Sequence, residues 1–126
     1  MKFLIKLFFV SMLFLNCNTE ALGQKRVDVA GFETALQRKN IQVLDVRTPE
    51  ECASGKIQNA QNINWNDPDF AKLVAKLDKK KPIAVYCAAG GRSGRATAAL
   101  VKMGFKEVID LDGGITSWKA AVKKIQ

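Results

Sequence analysis

The sequence contains no histidine, and that absence removes several reaction classes at once. A Cys–His or Ser–His nucleophile pair is excluded, and so is an imidazole metal ligand. Cysteine is scarce as well, with only Cys17, Cys52 and Cys87. At these spacings they form neither a disulfide scaffold nor a metal-binding set, so we expect no metal and no cofactor. Internal repeats and low-complexity segments are also missing. What remains is a chain of 126 residues, 48% hydrophobic and 25% charged, which suits one globular domain with an ordinary core.

The balance of charge is basic, +8 formally with a pI near 9.6. A nucleic-acid partner would call for clustered cations with stacking aromatics among them. The lysines are instead scattered. Their one run, Lys79-Lys80-Lys81, precedes Pro82 with no aromatic interleaved, and reads as a solvated loop. We therefore expect no nucleic acid. A positive field still gathers small anions.

The N-terminus reads as a targeting segment. Lys2 and Lys6 precede an apolar run from Leu7 to Leu15, too short for an ordinary membrane span of ~20 residues. Ala21 and Gly23 are small residues at the positions a signal peptidase inspects. We place a signal peptide at 1–23 and the domain at 24–126. The cut removes two lysines and one glutamate and leaves a formal charge of +7. Two alternatives are an uncut N-terminal anchor and a lipoprotein lipidated at Cys17. All three export the domain. The expected location is the periplasm, with the membrane involved only through the signal or a lipid anchor.

Along the rest of the chain, short apolar runs alternate with helical patterns. Val27 to Val29 reads as a first strand or a helix entry, and Phe32, Ala35 and Leu36 share one helical face. Ile41 to Val46 is a buried strand. A short helix follows from Pro49 to Ser54, and Gly55 ends it. Gln61 to Asn64 is a brief strand. Asp67 and Pro68 predict a helix start, with Phe70, Leu73, Val74 and Leu77 as the stripe. Pro82 to Tyr86 is a buried strand, followed by a helix with Ala96, Ala99, Leu100 and Met103 inward. Gly104 stops it, and Phe105 folds back. Val108 to Leu111 is the last strand, and Gly113-Gly114 turns into a final helix carrying Trp118. This alternation predicts an α/β fold: a mainly parallel sheet of about five strands with helices on both faces, three layers in all. Ligands of such sheets bind beyond the carboxyl ends of the strands, where Cys87 lies.

The segment Cys87-Ala88-Ala89-Gly90-Gly91-Arg92-Ser93 joins a buried strand to a helix start. Its glycines allow backbone N–H groups to converge on one point, and the helix N-terminus adds partial positive charge. A cysteine held there ionises more readily than a free thiol at about 8.5, and the thiolate is the nucleophile. No separate base is needed, which suits a chain without histidine. The bland alternative is an inert small hydrophobe at a strand end; the paired glycines, Arg92 and the following helix weigh against it.

Three ordered blocks then carry a family resemblance. Asp45-Val46-Arg47, Glu51, Gly55, Ile57, Ala60 and Ile63 are similar to the pattern DVRxxxExxxGHIxGAxxI. Tyr86-Cys87, Gly90, Arg92 and Ser93 are similar to the active loop YCxxGxRS. Leu111, Gly113, Gly114 and Trp118 are similar to the terminal LxGGxxxW. From Val27 to Ala121 the chain resembles the rhodanese-like domain family, and its small periplasmic members in particular. Lys56 departs from the family's His, Asn59 from its Gly and Cys52 from its aromatic; these departures put local packing in question rather than the loop.

The resemblance implies a thiosulfate sulfurtransferase of rhodanese type. Sulfane sulfur would move from thiosulfate or a persulfide donor to cyanide or a thiol, a protein thiol included, through a persulfide on Cys87. Four residues separate Cys87 from Arg92. The related phosphatases and arsenate reductases have a longer spacing, which makes room for a tetrahedral oxyanion. A non-catalytic binding module is the other alternative.

Around the nucleophile Cys87, the substrate-binding set is Arg92 with Ala88, Ala89, Gly90, Gly91 and Ser93. Ser93 is expected to cap the helix first and to donate to the site second. Asp45, Arg47 and Glu51 are expected to support the site, Asp45 by bracing the loops and Arg47 through an ion pair with Glu51 four residues on. Trp65 and Trp118 read as packing residues. Cys52 reads as a hydrophobe standing in for the aromatic, with a resolving thiol or a disulfide to Cys87 as alternatives.

Overall fold

The computed structural model describes residues 23–121, 123 and 125–126. Residues 1–22, with Cys17, lie outside them, so nearly all of the expected signal segment does too. The elements run β1 (Gln24–Val27), α1 (Val29–Leu36), β2 (Gln42–Asp45), α2 (Pro49–Ala53), β3 (Gln61–Asn62), α3 (Phe70–Val74), β4 (Ile83–Tyr86), α4 (Gly91–Lys102), β5 (Val108–Leu111) and α5 (Gly114–Ala120).

The five strands form one sheet in the order β1-β5-β4-β2-β3, every pair parallel. β4 and β5 are buried at all four positions, as expected of strands covered on both faces. Side chains alternate between two cores. Leu44, Ile83, Val85 and Val108 pack with Phe70 and Val74 of α3 and Ala96 and Leu100 of α4. Val43, Ala84, Tyr86, Ile109 and Leu111 pack with Phe32 of α1 and Ile115 and Trp118 of α5. Because Cys87 continues the register of Ile83 and Val85, its side chain falls in the α3/α4 core.

Two boundaries differ from the sequence reading. The first strand ends at Val27, because Asp28 caps α1 by accepting the Gly31 N–H at 2.8 Å. The helix expected to start at Asp67-Pro68 starts at Phe70. Asp67 caps a turn instead, taking the Asp69 N–H at 2.8 Å on Oδ1 and the Phe70 N–H at 3.0 Å on its carbonyl. Leu77 still packs on the core from beyond the helix end.

Two departures from the family pattern have local explanations. Asn59 adopts φ 65°, a left-handed conformation that Asn tolerates better than most residues. Lys56 Nζ donates to the Ala60 carbonyl at 3.1 Å and ties the same turn together.

The start of α5 bears on the loop after β4. Ile115 N–H donates to the Cys87 carbonyl at 2.9 Å, and Thr116 N–H to that of Ala88 at 3.1 Å. Gly114, at φ 58°, lies so close that a Cβ there would sit 2.4 Å from the Cys87 carbonyl oxygen. Both the left-handed backbone and that contact demand glycine. Gly114→Ala is expected to lower stability by at least about 2 kcal/mol in urea unfolding. Wild-type stability in that variant would mean that α5 does not clamp the loop.

Candidate active site

Cys87 is the residue just past β4, and its side chain is 1% exposed. Burial at that depth admits only a slender reactant. The sulfur is nonetheless surrounded by donors. Gly90 N–H donates to Sγ at 3.1 Å. Gly90 can do so because it takes φ 111°, a left-handed conformation that turns the chain back over the sulfur as it becomes the N-cap of α4. Ser93 Oγ lies 3.5 Å from Sγ and 3.3 Å from the Gly90 carbonyl, to which it donates. In the thiol state the S–H points at Ser93 Oγ; on ionisation the rotatable hydroxyl proton can turn to the sulfur.

Burial pushes the Cys87 thiol up. The Ser93 hydroxyl and the backbone N–H groups of Ser93, Gly90 and Ala89 outweigh it and hold the thiol below its ordinary range. Ser93 is therefore a buried side chain on the first turn of α4 and not its cap, which is Gly90. The cap position fell to Gly90 because only a residue at ease in the left-handed region can make that turn. Of the other loop residues, Ala88 presents its carbonyl to α5 and Gly91 opens α4 with free space around its Cα.

Asp45, fully buried at the end of β2, organises the neighbouring turns. It accepts from Tyr86 Oη at 2.9 Å, from Arg47 N–H at 3.0 Å, and from the Arg47 guanidinium at 2.7 to 3.1 Å. Tyr86 Oη in turn accepts the Ile57 N–H at 3.0 Å, and Arg47 donates to the Gly55 carbonyl at 2.7 Å. Burial and the Asp45 carboxylate push the Tyr86 phenol far up, so it stays a neutral donor.

The expected Arg47–Glu51 ion pair is not formed. Arg47 is itself buried, and a buried guanidinium needs a buried counter-charge, which Asp45 supplies two residues back. Glu51 closes a capping box with Thr48 and takes Arg92 in a two-pronged pair at 2.6 and 2.9 Å. That pair draws α2 onto the first turn of α4. It directs the Arg92 guanidinium to Glu51, while its charge still acts on Cys87. The Arg92 partner holds the Glu51 carboxyl down at about 2.

The sequence reading missed Arg26. It lies opposite Asp110 in the β1–β5 register, donates to Asp110 Oδ2 at 2.9 Å and reaches the Gly90 carbonyl at 2.6 Å. The available signal was Asp110 itself, one acid inside an apolar strand that must find a partner. Cys52 and Cys87 are both free thiols, with Cys52 half-buried. Burial and the nearby Asp45 carboxylate push the Cys52 thiol up. Trp65 meets Phe70 edge-on at 4.9 Å, and Trp118 meets Phe32 at 6.0 Å, both within the packed cores. Among the described residues, no cluster of three or more Cys, Asp or Glu side chains is arranged to hold a metal.

Two expectations arise from these environments. Alkylation followed by peptide mapping across pH should give Cys87 a midpoint below the ordinary thiol range and Cys52 one above it. The reverse order would contradict the donor cradle. For Glu51 the folded value lies below the ordinary 4.5, so its pair with Arg92 contributes stability fully above pH 4.5, lost as pH falls toward about 2. The stability gap between wild type and Glu51→Gln should narrow over that window in acid-dependent unfolding. A gap that stayed constant would mean that the pair does not form.

Comparisons with known proteins agree with this arrangement. The family model for the rhodanese-like domain matches residues 28–121. A thiosulfate sulfurtransferase GlpE from Pseudomonas aeruginosa is 33% identical, over 68% of this chain and 76% of that protein. A tRNA uridine(34) hydroxylase from Pelagibacter ubique is 33% identical over 87% of this chain, which spans only 37% of that longer protein. The crystal structure of a rhodanese-related protein from Thermoplasma volcanium superposes with a TM-score of 0.72 at 31% identity, covering 81% of this chain and 97% of that one. With its parallel sheet, its Cys87 loop and a match across most of its length, this chain belongs to the rhodanese-like domain family.

Proposed function

We propose that the protein is a sulfurtransferase whose Cys87 carries sulfur as a persulfide. The observation that carries this reading is the buried Cys87 sulfur facing the Gly90 N–H at 3.1 Å at the start of α4. Such a cradle favours an anionic sulfur. Cys87 thiolate attacks the outer sulfur of thiosulfate; a new S–S bond forms, the original one breaks, and its electron pair leaves with sulfite. The terminal sulfur of the Cys87 persulfide then lies among the loop donors. Cyanide or a thiol attacks that sulfur, and the bonding pair returns to Cys87 as thiolate.

The short span from Cys87 to Arg92 supports sulfur over phosphate, because it leaves little room for a tetrahedral oxyanion above a buried thiolate. Kinship with GlpE sulfurtransferases supports the same reaction, and the retained loop cysteine argues against a purely non-catalytic module. The hydroxylase relatives are much longer chains, and the Pelagibacter ubique one is matched over only 37% of its length, so their named activity does not decide the reaction here. The proposed donors are small anions, thiosulfate or a persulfide. The acceptors are cyanide or a thiol, including a protein thiol. The proposed setting is the periplasm, reached by the signal at residues 1–23 or through a lipid anchor at Cys17.

Intact mass after incubation with thiosulfate and removal of excess donor tests the chemistry. Wild type and Cys52→Ser should each gain one sulfur that cyanide removes, and Cys87→Ser should gain none. If wild type gained nothing from thiosulfate or from a persulfide donor, the proposal would fall.

A further inference from the structure

A cation is ordinarily out of place at a helix N-terminus, where the macrodipole favours negative charge. Arg26 nonetheless lays its guanidinium across the start of α4. A Cβ on Gly90 would lie 3.2 Å from its terminal nitrogen, and one on Gly94 3.3 Å. The group is held there from two sides. Asp110, with its side chain 4% exposed, accepts from Nε, and the Gly90 carbonyl accepts from the terminal nitrogen at 2.6 Å. Asp112 lies further off at 3.7 Å.

Asp110 depends on Arg26 in return. Among the described residues its other oxygen, Oδ1, has no hydrogen-bond partner, and neither has Thr97 Oγ1. Asp110 and Thr97 line a cavity of about 200 Å³ with Arg26 and Gly94. α4 borders that cavity through Gly94 and Thr97, and the Arg26 guanidinium reaches from Asp110 of β5 to the helix start beside it. Gly90, freed of side-chain restraint, is the residue that most needs such a restraint, because its two peptide groups do opposite jobs. Its N–H faces the Cys87 sulfur, and its carbonyl accepts from Arg26 at 2.6 Å, the shortest of three bonds there, beside the Gly94 N–H at 3.1 Å and Ser93 Oγ at 3.3 Å.

We propose that Arg26 is a positioning residue of the Cys87 loop: anchored on Asp110, its guanidinium fixes the Gly90 carbonyl and so holds the Gly90 N–H on the sulfur. The inference rests on Cys87 being the reacting sulfur. A planar fork can serve the carboxylate and the carbonyl together; a lysine ammonium is a single compact charge on a flexible stem and cannot reproduce that geometry.

The charges acting on Cys87 include Arg26 from β1 and Arg92 from α4. A positioning role must therefore be separated from simple through-space attraction, and Arg26→Lys and Asp110→Asn do so. Arg26→Lys keeps the positive charge. Asp110→Asn removes a negative charge near the sulfur, which through-space electrostatics alone would translate into easier ionisation of Cys87. Through-space attraction predicts no shift for Arg26→Lys and a lowered midpoint for Asp110→Asn; positioning predicts a raised midpoint for both. The Cys87 alkylation midpoint rises by roughly one pH unit, an about tenfold loss of thiolate well below the midpoint. Persulfide loading from thiosulfate slows in proportion, while thermal unfolding shows a cooperative, folded protein. If Arg26→Lys does not fold, Asp110→Asn alone still decides by the direction of its shift. An unmoved midpoint in folded Arg26→Lys, or an unmoved or lowered one in Asp110→Asn, would overturn the proposal. A raised midpoint in a protein that accepts sulfur from no donor would leave Arg26 in its role and remove sulfur transfer instead.

Discussion

Burial alone would keep Cys87 protonated; what offsets it is the set of hydrogen bonds that the sulfur receives from the first turn of α4. Gly90 N–H donates to it at 3.1 Å, the Ser93 hydroxyl 3.5 Å away accepts the thiol proton and can turn to donate once the sulfur ionises, and the Ala89 and Ser93 amides add to them. Such donors stabilise the charged form only if they are already in place when charge develops. Much of the surrounding architecture can be understood as meeting that condition. The loop is fixed at its base by the parallel sheet, from above by α5 through the Cys87 and Ala88 carbonyls, and laterally by Arg26 and by the Glu51–Arg92 pair.

These supports differ in physical kind. The α5 contact is steric and backbone-mediated, and it explains the glycine at position 114. The Asp45–Arg47–Tyr86 network is a buried polar cluster in which each charge or hydroxyl satisfies another. Removing one member would leave the rest uncompensated, commonly at about 3–5 kcal/mol for a broken buried ion pair. Glu51–Arg92 is partly exposed, with side chains 34% and 23% accessible, so its contribution to stability is modest.

Much of this was legible in the sequence, because strong local signals dominate. The continuous apolar run at Ile83–Tyr86 announced a buried strand, the mostly apolar Val108–Leu111 the last one, and the cysteine followed by paired glycines announced the loop. Ion pairing was less legible. Arg47 and Glu51 stand at helical spacing, but Arg47 lies on strand-end geometry beside Asp45, and Glu51 found its partner forty-one residues away in Arg92. Arg26 was invisible for the same reason: its partners come from β5 and the loop, sixty residues and more along the chain. Turn chemistry at Asp67 was misplaced because an Asp-Pro pair serves a capped turn as well as a helix start.

The central claim is that the loop donors receive a sulfur carried on Cys87. A crystal structure of the protein soaked in thiosulfate would address it most directly. The account predicts one additional atom bonded to Cys87 Sγ, lying within hydrogen-bond distance of backbone N–H groups at the start of α4, with Cys52 unmodified. Extra density on Cys52, or a Cys87 adduct turned away from those N–H groups, would contradict it.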